Sequence, residues 1–435
     1  MYSYTNLKGT TMKNGTIRVK KFDVLTILVM LLCFALQCEF AAVRVDRIFS
    51  SSFMIGALIV FAYMVKRKSI VFPKELNLCI LWLLWMVFTA LFIAPEIVGH
   101  APRLKRIAYE AAYFISLMFF LSVGYSIHQL KKTEVFVRGM GYFALIVASI
   151  AFFVKVFHFN SLRETAMYLS GERFGGLIGN PNDYMPMALC GFAYWIQTTK
   201  ETPIMKGTAI FLIVFSFLEA GSKSALVVII AYVGVCLIEK ALSSLTVVQR
   251  RNVGFIIGIG MLLVPVLFVV TFVSKGTLYA MAAGNPAITR ILDFVFDFNN
   301  NIAYGNGSDR IQCWIGAAMQ IQRSPFLGVG VGSSKQILEY LGYELAELTP
   351  HNIYLELLAQ SGIPLFLFIC VKVAKALKGS LLYKNEMIRI ERHMIYTMLL
   401  LGIFFASDWH IGVWVVLGCY FANLRGIKKQ ATVQC

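Results

Sequence analysis

The chain has 435 residues, 58% of them hydrophobic and only 14% charged, and its mean hydropathy is +0.71. A soluble domain of this size carries about a quarter charged residues, and the apolar runs lack the alternation of barrel strands. Soluble and β-barrel architectures are therefore excluded, leaving an all-α polytopic membrane protein, and the net charge of +17 is to be explained by topology rather than by nucleic acid.

The N-terminal tail carries Lys8, Lys13, Arg18, Lys20 and Lys21, and the first apolar run follows over residues 22–38. No small-x-small cleavage site follows it, and Gln37 before Cys38 makes a poor lipoprotein site, so this run is read as an uncleaved span. Further spans are expected from Phe49, Leu76, Ile107, Val137, Asn182, Gly207, Ser224, Val253, Ile353, Met394 and Gly412, about twelve crossings in all. Two connections are longer than the rest, 158–181 and 274–350.

With the basic tail inside, alternation places Lys66-Arg67-Lys68, Arg250-Arg251, the cations from Lys372 to Arg392, and Arg425, Lys428 and Lys429 inside as well. On this reading 26 of the 40 Lys and Arg residues face inward against 7 of the 23 acids, so the inner face is +19 and the outer face −2. The asymmetry supports an even number of spans with both termini cytoplasmic. Six cysteines (Cys33, Cys79, Cys190, Cys236, Cys370 and Cys419) sit in apolar runs, where the thiol acts as a small hydrophobe, and no outward-facing pair suggests a disulfide framework. No internal repeat and no separate soluble domain are evident, so 1–435 reads as a single integral membrane domain.

The long connection has structure of its own. Ser308 to Gln322 reads as a helix, with Ser308 or Asp309 as N-cap, Ile311, Ile315, Ala318 and Met319 on one face, and Pro325 as its stop. The run Gly328-Val329-Gly330-Val331-Gly332 could offer backbone N–H groups to phosphate, but no Gly-Lys-Ser/Thr follows, and a hinge or close-packed turn is the better reading.

The informative side chains break the positive-inside bias. Arg103, Lys105, Arg106, Arg173, Lys223, Arg310 and Arg323 all fall on the outer side. Singly, each is explained by a snorkelling cation; as a set near membrane depth they suggest a shared anionic partner such as a lipid-linked pyrophosphate. Lys223 stands in Glu219-Ala220-Gly221-Ser222-Lys223-Ser224, where a local pair with Glu219 is the competing explanation. His351, in Pro350-His351-Asn352-Ile353-Tyr354, is an imidazole able to take a proton near neutral pH. His100, His158 and His410 are also expected outside, so position alone would leave His351 structural. The histidines and acids show no zinc-like spacing, and no bound metal is expected.

Three passages resemble the O-antigen ligase and polymerase family, membrane glycosyltransferases that handle undecaprenyl-pyrophosphate-linked glycans. Arg173-Phe174-Gly175-Gly176 followed by Gly179-Asn180-Pro181-Asn182 is similar to the family's Arg-x-x-Gly…Asn-Pro-Asn stretch. Asp309-Arg310, Trp314 and Ser324-Pro325-Phe326-Leu327-Gly328-Val329-Gly330 are similar to its Arg…Trp…Pro-x-x-Gly-x-Gly stretch. His351-Asn352-x-Tyr354-Leu355, with Ser361-Gly362 beyond, is similar to its His-Asn-x-Tyr-Leu element. The three stand in the family's order, and the motif-bearing region is 170–365, including the outer loop 274–350. Where members commonly have Ser-Arg-Gly or Ser-Arg-Ser, this chain has Ser222-Lys223-Ser224, which keeps the charge but loses the bidentate fork.

The resemblance implies glycan transfer from undecaprenyl pyrophosphate to a sugar hydroxyl at the outer face of the bacterial cytoplasmic membrane, with no cofactor and no metal. It implies His351 as general base and Arg173, Lys223 and Arg310 as pyrophosphate ligands, with Asn352 and Tyr354 of the motif, and Arg103 and Arg106 of the outer cation set, as supporting residues. The acceptor would be a second lipid-linked glycan in a polymerase or lipid A-core in a ligase, with a chain-length regulator as a further partner to test for. Polymerase is slightly favoured because such members serve capsule as well as O-antigen pathways. A transporter or flippase of an anionic solute is the competing class, which would place charges mid-span along a path rather than at the outer ends.

Overall fold

The computed structural model describes residues 23–38, 51–67, 73–99, 101–159, 161, 168–169, 173–244, 308–333, 352–381, 383, 385–403 and 410–433. In chain order they form α1 (Val24–Cys38), α2 (Ser51–Arg67), α3 (Lys74–Val98), α4 (Leu104–Gln129) and α5 (Thr133–Val156). A two-residue antiparallel pair follows, β1 (Tyr168–Leu169) with β2 (Arg173–Phe174), then a 3-10 turn over Gly176–Ile178. Then come α6 (Pro181–Gln197), α7 (Pro203–Glu219), α8 (Lys223–Ser244), α9 (Ser308–Arg323), α10 (Ile353–Ser380), α11 (Glu386–Leu401) and α12 (Ile411–Val433).

The helix starts are set by residues that satisfy the first free N–H groups. Asn180 accepts from Asn182 N at 2.9 Å with Pro181 beside it, Thr202 accepts from Met205 N with Pro203 beside it, and Asn352 and Asn385 each accept two N–H groups. Ser222 caps α8 through Ala225 N. Gly99 ends α3 in the left-handed conformation.

Among the described residues, five helices are long and apolar enough to cross a bilayer, over Lys74–Ile97, Leu104–Gln129, Thr133–Val156, Ser224–Ala241 and Ile353–Ser380. Shorter apolar helices cover Val24–Cys38, Ser51–Lys66 and Ile411–Ile427. The protein is thus a helical membrane protein; nine of the twelve expected span starts fall within a described helix, and those at Phe22, Phe49 and Val253 lie outside the described residues, the first two just before α1 and α2. The expected helix over 308–322 is α9, one residue longer.

α12 packs along α4, α6 lies between α5 and α11, and α1 bridges α2 and α5. Backbones approach closely where glycines allow it: Gly124 of α4 and Gly418 of α12 each leave no room for a Cβ against the other helix, and Gly191 of α6 sits on Ala144 of α5.

The charged ends sort as alternation requires. One end gathers Asp23 with Lys132 at 2.5 Å, Glu134 with Lys200 at 2.5 Å, Arg138 with Glu201 at 3.2 Å, Arg425 with Glu75, and Glu239 with both Arg392 and His393. Hydrogen bonding from Lys132 holds the Asp23 carboxyl below the usual carboxylate range. The other end gathers Lys155 with Glu219 at 3.4 Å, Arg106 with Glu110 at 2.6 Å, and the turn before α6.

Candidate functional site

Arg173 stands on β2, and its Nε donates to the Ala220 carbonyl at 3.0 Å. Phe174 beside it is buried against Tyr184 of α6, ring to ring at 5.3 Å. Gly175 folds so tightly onto Gly179 and Asn180 that a Cβ would meet backbone, and Gly176, at φ 63, lies against the Tyr184 ring. The glycines of this motif therefore seat the hairpin on α6 and carry the Arg173 guanidinium to the α7–α8 turn, three residues before Lys223. Lys223 is the first residue of α8, at the same end of the bundle. Glu219, the local partner considered for Lys223, has its carboxylate 3.4 Å from Lys155 Nζ.

Arg310 lies in the first turn of α9, and α9 packs on α10. His351 lies outside the described residues; the motif residues after it are described. Asn352 Oδ1 accepts from Tyr354 N and Leu355 N at 3.0 and 3.1 Å, while its Nδ2 donates to the Ile403 carbonyl at 3.0 Å. The Ile353 N–H donates to Gly402 O, and the Tyr354 hydroxyl donates to Leu399 O at 2.6 Å. Asn352 and Tyr354 thus tie the start of α10 to the end of α11.

The Gly-rich run is a packed turn and offers no cradle for phosphate. Five successive N–H groups are taken within the protein: Gly328 by Ser324 O, Val329 by Ala359 O, Gly330 by Gln360 O, Val331 by Met86 O, and Gly332 by Glu110 Oε2 at 2.7 Å. Two of these acceptors, the Ala359 and Gln360 carbonyls, are free because α10 breaks. Gly362, at φ 75 and ψ 164, interrupts the helix two residues before Pro364. Such a break frees carbonyls that must find donors at membrane depth. Those of Ala359 and Gln360 take the run's N–H groups, that of Ser361 accepts from Trp85 Nε1 at 3.3 Å, and Ile363 N donates back to Pro325 O at 2.8 Å. Trp85 Nε1 also reaches Leu327 O at 3.0 Å. The Pro-x-x-Gly-x-Gly and Ser-Gly elements are two halves of one joint between α3, α9 and α10.

Among the expected supporting residues, Arg103 is exposed just before α4 and Arg106 is held by Glu110, whose other oxygen takes the Gly332 N–H. Glu110 is a link that sequence reasoning missed; a single acid beside three cations looks like simple charge balance. Among the described residues no three His, Cys, Asp or Glu side chains gather as a metal site.

Residues 208–370 match the family model described as O-Antigen ligase. The match runs from α7 through the first half of α10 and beyond, and covers Lys223, Arg310, the Gly-rich run and His351 while leaving Arg173 outside. The motif resemblance is borne out over this stretch. No curated protein matches the chain significantly.

Proposed function

Because residues 208–370 belong to the O-antigen ligase family, we propose that the protein transfers a glycan from undecaprenyl pyrophosphate to a sugar hydroxyl during surface-polysaccharide assembly. The observation that carries this reading is that one family match contains both the candidate base and two candidate phosphate ligands. The acceptor oxygen attacks the anomeric carbon, the bond from that carbon to the pyrophosphate oxygen breaks, and lipid pyrophosphate leaves. His351 takes the acceptor's proton as general base. Arg173, Lys223 and Arg310 stabilise charge growing on the leaving oxygen, in the place a divalent cation would otherwise fill. Direct attack inverts the anomeric centre.

The setting is the cytoplasmic membrane, with twelve spans, both termini inside and the site on the periplasmic face. The +19 inner and −2 outer charge supports that orientation. A polymerase joining lipid-linked repeats is the favoured form; a ligase acting on lipid A-core uses the same chemistry, and the family's description favours it as the second reading. The test is deletion in the native host with gel analysis of surface glycan. Single-repeat lipopolysaccharide identifies a polymerase, and bare core with accumulated lipid-linked polymer identifies a ligase. Unchanged glycan overturns the proposal and returns the solute transporter.

A further inference from the structure

Asp183 and His410, at the outer end of the bundle, each bury an atom that has no hydrogen-bond partner among the described residues. Asp183, in the first turn of α6, is 4% exposed, and its Oδ2 is buried without a hydrogen-bond partner. His410, just before α12, is 2% exposed, and its Nε2 is in the same condition. Such atoms are rare in native proteins because burying them alone is costly. Where an ionisable group sits at membrane depth, a functional partner is the first explanation to test.

Met187 stands close to both residues. A Cβ placed on Gly412 would lie 2.7 Å from Met187 Cε and 3.3 Å from His410 Nδ1, so ring and thioether are neighbours. Asp183 is one helical turn from Met187 on the same face of α6. His410 Nδ1 accepts the Gly412 N–H at 3.3 Å, so a neutral ring carries its proton on Nε2. The pair therefore presents one acceptor, Asp183 Oδ2, and one donor, His410 Nε2–H. A hydroxyl, which donates once and accepts, satisfies both.

The first turn of α6 also joins the elements holding the proposed pyrophosphate ligands. Tyr184 packs on Phe174 beside Arg173, and Met185 Sδ receives the Ser222 hydroxyl at 2.5 Å beside Lys223. A sugar attached to a pyrophosphate held by Arg173 and Lys223 lies next to this turn. We propose that Asp183 and His410 form a hydroxyl-binding subsite for the lipid-linked glycan, a specificity element that rests on the transfer reaction above. The same chemistry would suit a resident water, and the experiment separates the two.

Asp183→Leu and His410→Phe keep side-chain bulk and remove the polar atoms. If the groups only hold a water or are merely tolerated, losing them leaves kinetics unchanged and stability equal or higher. In proteoliposomes supplied with the host's lipid-linked repeat unit, the subsite predicts that KM rises about tenfold or more in each variant while the thermal midpoint holds. The double variant should be no worse than the poorer single one, because both groups serve one hydroxyl. Should Asp183→Leu fail to fold, Asp183→Asn and His410→Phe are read by the same KM. Unchanged KM in folded variants overturns the subsite while wild-type turnover leaves the transfer reaction standing; absence of wild-type turnover overturns the reaction itself.

Discussion

His351 and Arg310 carry different burdens in the proposed reaction, and their substitutions should fail differently. Removing a general base slows the step that needs it, so His351→Ala should insert normally, bind the donor, and lose about 10²–10⁴-fold in kcat. Arg310→Glu places a negative charge where a pyrophosphate should sit, so donor use should fall further, in KM as well as kcat, in assays of the reconstituted enzyme. Wild-type turnover in His351→Ala removes the imidazole from the chemistry; unaltered donor KM in Arg310→Glu removes that guanidinium. These two candidates stand out in the sequence because their sign or type is unusual on a face expected to be poor in cations, and because the motifs order them. Asp183 and Glu110 were not legible. Each reads as an ordinary acid near a span end, and their significance comes from burial and from contacts such as Glu110 to Gly332, which are 222 residues apart.

The joint between α3, α9 and α10 makes a claim about an element. Gly328, Gly330 and Gly332 all have φ between 75 and 78, a region that side-chain-bearing residues rarely occupy. A Cβ at Gly330 would also fall on the backbone of Met86 and Ala90. Gly330→Ala should therefore cost more than the roughly 1–3 kcal/mol of such backbone strain alone, because relief requires the run to leave α3. Undocking the run strips the Ala359 and Gln360 carbonyls of their donors at the α10 break. The expected result is a lower thermal midpoint in detergent together with lost activity. An unchanged midpoint would mean that the turn is not docked on α3. Periodicity and turn residues predicted α9 and its stop at Pro325, since those are local. Docking of the run onto Met86 and Gln360 was beyond them, because the partners stand 245 and 30 residues away in the chain.

At the scale of the molecule, the apolar runs made the helices legible, since backbone in lipid has few other ways to pair its polar groups. Their neighbours were not legible: that α12 lies along α4 depends on the paired glycines 124 and 418, which no periodicity in either helix announces. Orientation in the membrane is the premise that every catalytic role shares, and it can be tested independently of activity. In a variant whose natural cysteines are replaced, Arg103→Cys, just before α4, and Lys378→Cys, at the far end of α10, should report opposite compartments. A membrane-impermeant maleimide added to spheroplasts should label position 103 at once and position 378 only after permeabilisation. The physical ground is the charge division: 26 cations on one side attract the anionic cytoplasmic leaflet and resist translocation, whereas the opposite arrangement would carry most of them across. Labelling in the reverse order would put Arg173, Lys223 and the start of α10 in the cytosol, away from any glycan displayed on the outer leaflet, and no rearrangement of side chains could then rescue the proposed transfer.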